Sequence, residues 1–307
     1  MPFDPTSIPA LAWFVHNILV AWHAVLNRAG EMIAPTFLAF MLGILALERL
    51  FPARPRQKVV SASLAQDAVW FLIQSAGEAT VLAAYAVFLA SIYERHLDFL
   101  TIQPMAALPA WLSLVSGIVF MDFLRWLQHV VQHKVPWFWH FHVVHHSQRN
   151  LNLFTDFRYH VVEYLVRQTV YFIPLMMFGV ELPEMIMFSM FLIWHARLYH
   201  GNIKSDFGLL RYVVVTPQSH RVHHSIESRH RDKNYGAFLS IWDRIFGTQY
   251  RGHLEYPETG ISEASFPEDG SIAGFRLILK PIEQMIYPFL AIGKSLYGKL
   301  RRDEIPW

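Results

Sequence analysis

The 307-residue sequence contains no cysteine. That absence removes disulfides, iron–sulfur clusters, thiolate-ligated haem and cysteine-type zinc sites together. Charge is scarce too: Asp, Glu, Lys and Arg make up 16% of the chain against 53% hydrophobic residues, and mean hydropathy is +0.26. Such a balance is foreign to ordinary soluble domains and predicts a membrane protein. "MPFDPTSIPA" lacks a basic segment ahead of the first apolar run, so no cleavable signal peptide is expected. A net charge of +2 and a pI of ≈ 8.8 are too mild to suggest nucleic acid as a partner.

Apolar runs predict spanning helices at 10–28, 32–50, 67–93, 107–129, 164–180 and 183–200, each near or above the roughly 17-residue minimum. The last two are short and Pro174 interrupts one, so a re-entrant hairpin is the alternative there. Trp13, Trp22, Trp70, Trp111 and Trp126 fall toward segment ends, where interfacial aromatics sit. Pairing the runs as hairpins leaves only Arg28 and Arg95 of the basic residues on the far side, which makes the shared side cytoplasmic. The predicted fold is all-α: a polytopic integral membrane helical bundle with a cytoplasmic helical cap. Residues 255–271, with Pro257, Gly260, Pro267 and Gly270, read as a loop. "LILKPIEQMIYPFLAIGKSLYGKLRR" then alternates apolar and basic residues, as a membrane-surface amphipathic helix broken by its prolines does.

What the chain has in excess is histidine in one place. Thirteen of its 17 histidines lie between His129 and His230. His142-x-x-His145-His146 and His220-x-x-His223-His224 repeat one pattern that chance would produce on the order of 0.05 times in such a chain. On a helix, positions i, i+3 and i+4 share a face, so each triplet converges. His129 and His133 form a further i, i+4 pair, Pro136 lets the chain turn back, and His200 ends the last predicted hairpin. Nine imidazoles thus collect at one membrane face, too many for one metal with three or four protein donors; they predict two metals, of a kind that imidazole suits: iron, copper, zinc or nickel. His160 and His195 divide between ligand, support for a ligand and packing. His16, His23 and His96 receive no role, and His140, His230 and His253 are expected to be solvated.

"HVVQH", "HVVHHS" and "HRVHHS", in this order after paired apolar runs, resemble the fatty acid hydroxylase/sterol desaturase superfamily. The flanks "LNLFTDFRYHVVE" and "VVVTPQSHRVHHS…DKNYGAFLSIWDRIFGT" extend the resemblance, which covers about 107–250. It divides the chain into N-terminal transmembrane helices (1–106), a fatty acid hydroxylase-like catalytic domain (107–250) and a C-terminal loop with a membrane-surface segment (251–307). Val130, where many members have arginine, and Val161-Val162, in place of a common Pro-Leu, depart from the pattern without touching a proposed ligand. The resemblance implies an integral membrane enzyme with two iron ions that uses dioxygen and external electrons to hydroxylate or desaturate an unactivated lipid C–H bond. By motif match the ligands are His129, His133, His142, His145, His146, His200, His220, His223 and His224.

Asp122 shares a helix face with Arg125 and His129 and is expected to pair with Arg125 or to orient an imidazole; Asp232, Asn234 and Asp243 are candidates for the latter role. Phe120, Phe123 and Leu124 are candidate lipid-channel residues, with packing the simpler role. No haem domain, flavin fingerprint or cysteine cluster is visible, so electrons must come from a separate reductase or a ferredoxin- or cytochrome-like protein. Arg221, Arg229, Arg231 and Lys233 would dock it, or hold lipid headgroups. A bis-histidine haem carrier would want single facing histidines, and a zinc hydrolase an acidic base within the boxes; neither pattern is present. Sterols, hopanoid-like lipids, fatty acyl chains, ether lipids and carotenoids all remain open as substrates.

Overall fold

The computed structural model describes residues 36–58, 61–77, 83–269 and 276–303. In chain order its α-helices of five residues or more are α1 (36–50), α2 (Ala62–Gly77), α3 (Ala83–Ile92), α4 (Ala110–Lys134), α5 (Pro136–His146), α6 (Val161–Met177), α7 (Leu182–His200), α8 (Pro217–His223), α9 (Ile241–Ile245) and α10 (Arg276–Asp303). Among the described residues there is no strand, only isolated bridges such as Pro52 with Ile203 and Val214 with Leu239.

Helix α4 organises the rest. It is the one helix among the described residues long and apolar enough to cross a membrane. One face carries Gly117 and the fully buried Met121, which pack on Leu175, Phe178 and Val180 of the α6–α7 hairpin. A Cβ on Gly117 would stand 3.2 Å from Leu175, so glycine lets the helices close. Trp111, Val115, Val119 and Leu127 on other faces are exposed, an apolar surface of the kind that lipid covers.

The predicted spans fare unequally. The run 10–28 lies outside the described residues. The run 67–93 contains α2 and α3 on either side of residues that lie outside the described ones, and 107–129 becomes α4, extended to Lys134. The runs 164–180 and 183–200 become α6, with Pro174 inside it, and α7. Phe120 lies tilted against Phe178, and Phe123 packs among Trp126, Trp242 and Phe246, so both take the packing role.

The C-terminal segment corrects an expectation. Pro281 and Pro288 do not break it; α10 runs through both for 28 residues. Each proline removes one helical hydrogen bond, and docking onto α2 and α5 offsets that loss. Trp70 Nε1–H donates to Gln284 at 3.1 Å in this contact, and Gln284 reaches on to Asp269. Ile278, Ile282, Ile286 and Phe289 remain exposed on α10.

Candidate metal centre

Three local devices deliver the histidines. His129 and His133 ride the last turns of α4, after which extended Val135 and Pro136, at the first position of α5, fold the chain back. Helix α5 then presents His142, His145 and His146 on one face, all buried. Helix α8 starts on Pro217 after a Thr216–Ser219 capping box and ends with His220, His223 and its C-cap His224. His200 is the last residue of α7.

All nine predicted imidazoles meet, in two adjoining groups. His129, His133, His142, His146 and His223 form one; His145, His200, His220 and His224 form the other; within each, the ligand atoms lie within 4.8 Å of one another. The groups abut where the rings of His146 and His224 stack, 4.3 Å between centroids. Neighbouring rings this close leave no slot for a porphyrin plane between them.

Hydrogen bonding at the far side of each ring shows what the near side must hold. A carbonyl can only accept, so His129 Nδ1–H donates to Tyr235 O (2.8 Å), His145 to Arg158 O (3.1 Å), His200 to Ala196 O (2.7 Å) and His223 to Lys233 O (2.8 Å). His142 Nδ1 faces the Glu163 carboxylate at 2.8 Å. The Nε2 atoms of these rings are then bare lone pairs pointing inward. Yet His129 and His142 bring theirs to 3.0 Å of each other, and His145 and His200 to 3.1 Å. Lone pair against lone pair at that distance is repulsive without a positive charge between. Protons are a poor remedy: burial, reinforced by neighbouring imidazoles, pushes the His145, His146, His220 and His224 pKa values well below that of a free imidazole, and burial takes His223 to about 3. Among the described residues, His133 Nε2 and His223 Nε2 are also buried without a hydrogen-bond partner. Neutral nitrogen donors converging in this way fit a pair of divalent transition-metal ions.

The supports of these rings were mostly invisible to the sequence. Asp232 (φ 61°) and Asn234 (φ 58°) adopt left-handed backbone, and the residue after each aims its carbonyl, Lys233 at His223 and Tyr235 at His129. The loop is pinned by Asp243, which accepts from Tyr235 N and Gly236 N at 2.8 Å and from Trp126 Nε1 at 3.0 Å. Asp232 itself binds Lys134 and the Tyr235 hydroxyl, and Asn234 binds Ser219 O and Tyr250 N, so neither side chain touches an imidazole. Asp122 neither pairs with Arg125 nor orients a ring. It accepts from Phe238 N, Leu239 N and Trp242 Nε1, tying α4 to the loop before α9.

His160 stands apart from both groups: its Nδ1 caps α6 by accepting from Val162 N, and its Nε2 faces Met285 O at 3.0 Å. His195 packs against Tyr199 and Phe238. His230 is buried against Ser225, not solvated. Glu163 and the Arg158 carbonyl are supports that sequence reasoning passed over, although both stand in the stretch after the second box. Arg158 is buried between Asp67 (2.6 Å) and Asp269 (2.8 Å). Arg221 is buried too, bonded to Asn202 at 2.9 Å, so it lies off the surface, whereas Arg229 is exposed and pairs with Glu227 and Glu255.

Two cavities reach the histidines. One, of ≈ 70 Å³, lies among α4, α6 and α7 and touches His129, His142, His145, His200 and His220. The other, of ≈ 350 Å³, is bounded by the loops around 225–232 and 260–263 and touches His133, His146 and His223.

A largely apolar chain, helical without strands among the described residues and carrying a double polyhistidine site, is the class this geometry defines. Comparison with known proteins narrows it: residues 114–248 match the fatty acid hydroxylase family, so the chain carries a fatty acid hydroxylase domain. Ornithine lipid hydroxylase OlsE of Rhizobium tropici is 31% identical over 140 residues, covering 46% of this chain and 42% of that protein. Alkylglycerol monooxygenase of Homo sapiens is 32% identical over 143 residues, 45% of this chain and 30% of that protein. A cholesterol 25-hydroxylase-like protein of Danio rerio is 22% identical over 241 residues, 74% of this chain and 96% of that protein. The matches to the first two span less than half of each relative's own length. No solved structure matches the chain.

Proposed function

We propose that this protein is an integral membrane oxygenase with two iron ions that hydroxylates a C–H bond of a lipid. The observation that carries the reading is the convergence of nine imidazoles into two adjoining groups within the matched domain. Relatives named hydroxylase and monooxygenase favour hydroxylation over desaturation. Iron at these positions would supply reductive activation of dioxygen, one oxygen atom entering the C–H bond and the other leaving as water, with two electrons and two protons from outside.

The chain's own part is positioning and exclusion. Lys233 O, Tyr235 O, Arg158 O, Ala196 O and Glu163 fix the ring orientations, which keeps each Nε2 aimed inward before any ion arrives. In this reading further helices besides α4 lie in the bilayer as a polytopic bundle, with the histidines at its cytoplasmic face, as the lysine and arginine distribution suggests. Lipid enters among α4, α6 and α7. The larger cavity gives a separate reductase, or a ferredoxin- or cytochrome-like carrier, the shortest approach to His133, His146 and His223.

The test is isotopic. Membranes containing the protein, supplied with ferrous iron, a reductant and ¹⁸O₂, should yield a lipid heavier by one ¹⁸O atom, and membranes containing His145→Ala should not. A wild-type product lacking ¹⁸O, or the same labelled product from the variant, overturns the reading.

A further inference from the structure

The smaller cavity is unsuited to a bare hydrocarbon. Of its lining residues only Ala196, Gly236 and Ala237 lack a polar side chain. Its ≈ 70 Å³ is well below the roughly 300–1,000 Å³ of sites that enclose a whole drug-sized ligand, so it admits one end of a molecule and no sterol nucleus.

Arg125 is the telling residue. It projects from the apolar helix α4 into this cavity; the Asp122 and Asp156 carboxylates act on it through their charge, but among the described residues none forms an ion pair or hydrogen bond with its guanidinium. A cation in an apolar span is costly and is kept where it has a partner. The other charged groups of the wall are engaged. Arg167 lies over the Tyr159 ring at 4.2 Å, Glu163 faces His142, and Asp156 stands 3.7 Å from His200 Nδ1 within the field of Arg125, Arg167 and Arg197. Asp122, on the same helix as Arg125, is turned toward the loop before α9, accepting from Phe238 N, Leu239 N and Trp242 Nε1. Arg125 precedes His129 by one helical turn, a rise of about 6 Å.

Building on the oxygenase reading above, we propose that this cavity receives the anionic headgroup of a lipid, with a carboxylate or phosphate held by Arg125. The C–H bond presented to the histidine centre then lies within a few bonds of that oxyanion. A phosphorylated glycerolipid and an N-acyl amino acid share the required chemistry; sterols, carotenoids and mid-chain acyl positions lack it.

Binding to the purified full-length, metal-loaded protein tests this. The probes are an alkyl phosphate, an N-acyl amino acid, a neutral alkylglycerol of equal chain length and cholesterol, each titrated against wild type, Arg125→Gln and Arg125→Lys, with metal content measured in parallel. Wild type should prefer at least one anionic probe over both neutral ones by tenfold or more, and whichever anion wins names the headgroup. Arg125→Gln should abolish that preference while retaining wild-type metal content, and Arg125→Lys should restore part of it. Neutral probes bound as tightly as both anions, or a preference untouched in Arg125→Gln, overturns the proposal. Arg125→Gln protein that fails to fold leaves the wild-type preference and the Arg125→Lys variant to decide, since loss of the bidentate fork alone should lower the preference. Metal content and ¹⁸O incorporation separate the two readings: bound metal with ¹⁸O entering a neutral lipid refutes the headgroup site alone, whereas absence of both metal and ¹⁸O in every lipid, anionic or neutral, refutes the oxygenase itself.

Discussion

Glu163 shows how a single side chain sets the centre. Its carboxylate accepts from His142 Nδ1 at 2.8 Å, which fixes the tautomer and turns Nε2 toward His129 and His146. Glu163→Ala frees that ring, and loss of such a support typically lowers metal affinity by about 10–100-fold. Chelator competition should show a drop of that size, with a smaller one in Glu163→Gln, whose amide oxygen still accepts. Equal affinity in all three would remove Glu163 from the site. The nine histidines were legible in the sequence because i, i+3, i+4 spacing is a helix-face signal carried by residue identity. Their supports were not, because four of the five partners are backbone carbonyls, and a carbonyl has no letter. Asp122 misled for a related reason. Its helical neighbour Arg125 is obvious in sequence, whereas its actual partners lie more than 110 positions away.

At the scale of elements, the loop 232–236 is as much a part of the centre as the helices. Asn234 holds left-handed backbone and its side chain binds Ser219 O and Tyr250 N, so Asn234→Val, which strains the backbone and loses both bonds, should destabilise the protein by roughly 2–4 kcal/mol. Gly236 has less latitude: a Cβ there would stand 2.8 Å from Leu239 O and 2.8 Å from Val215. Gly236→Ala should therefore displace the Tyr235 carbonyl and loosen His129, seen as lower metal occupancy in a protein that still folds. The Arg158 network is the counterpart on the other side, since its carbonyl holds His145. Asp67→Asn leaves a buried guanidinium short of countercharge, with an expected loss of about 3–5 kcal/mol in thermal or denaturant unfolding. Apolar runs located the helices, but hydrophobicity alone did not place their ends: α4 continues past the predicted 129 to Lys134. Nor could proline content reveal that docking would carry α10 through Pro281 and Pro288.

For the whole molecule, the buried imidazole cluster makes folding sensitive to pH. In the metal-free protein the five rings with lowered pKa outside the apolar helices bind protons more weakly folded than unfolded. Unfolding then takes up protons, so stability falls as pH drops below about 6.5, with the His223 contribution lost progressively toward about 3. The metal-free melting temperature should decline steadily from pH 7.5 to pH 5, and a flat profile would mean that these rings are not neutral and buried together.

The central claim is that the two histidine groups each hold one ion. Metal analysis of the purified protein, combined with X-ray absorption at the metal edge, addresses it directly. Two transition-metal ions per chain in a nitrogen-dominated shell, falling below two in His145→Ala, is the result expected. A single ion, or a shell dominated by oxygen, would contradict it.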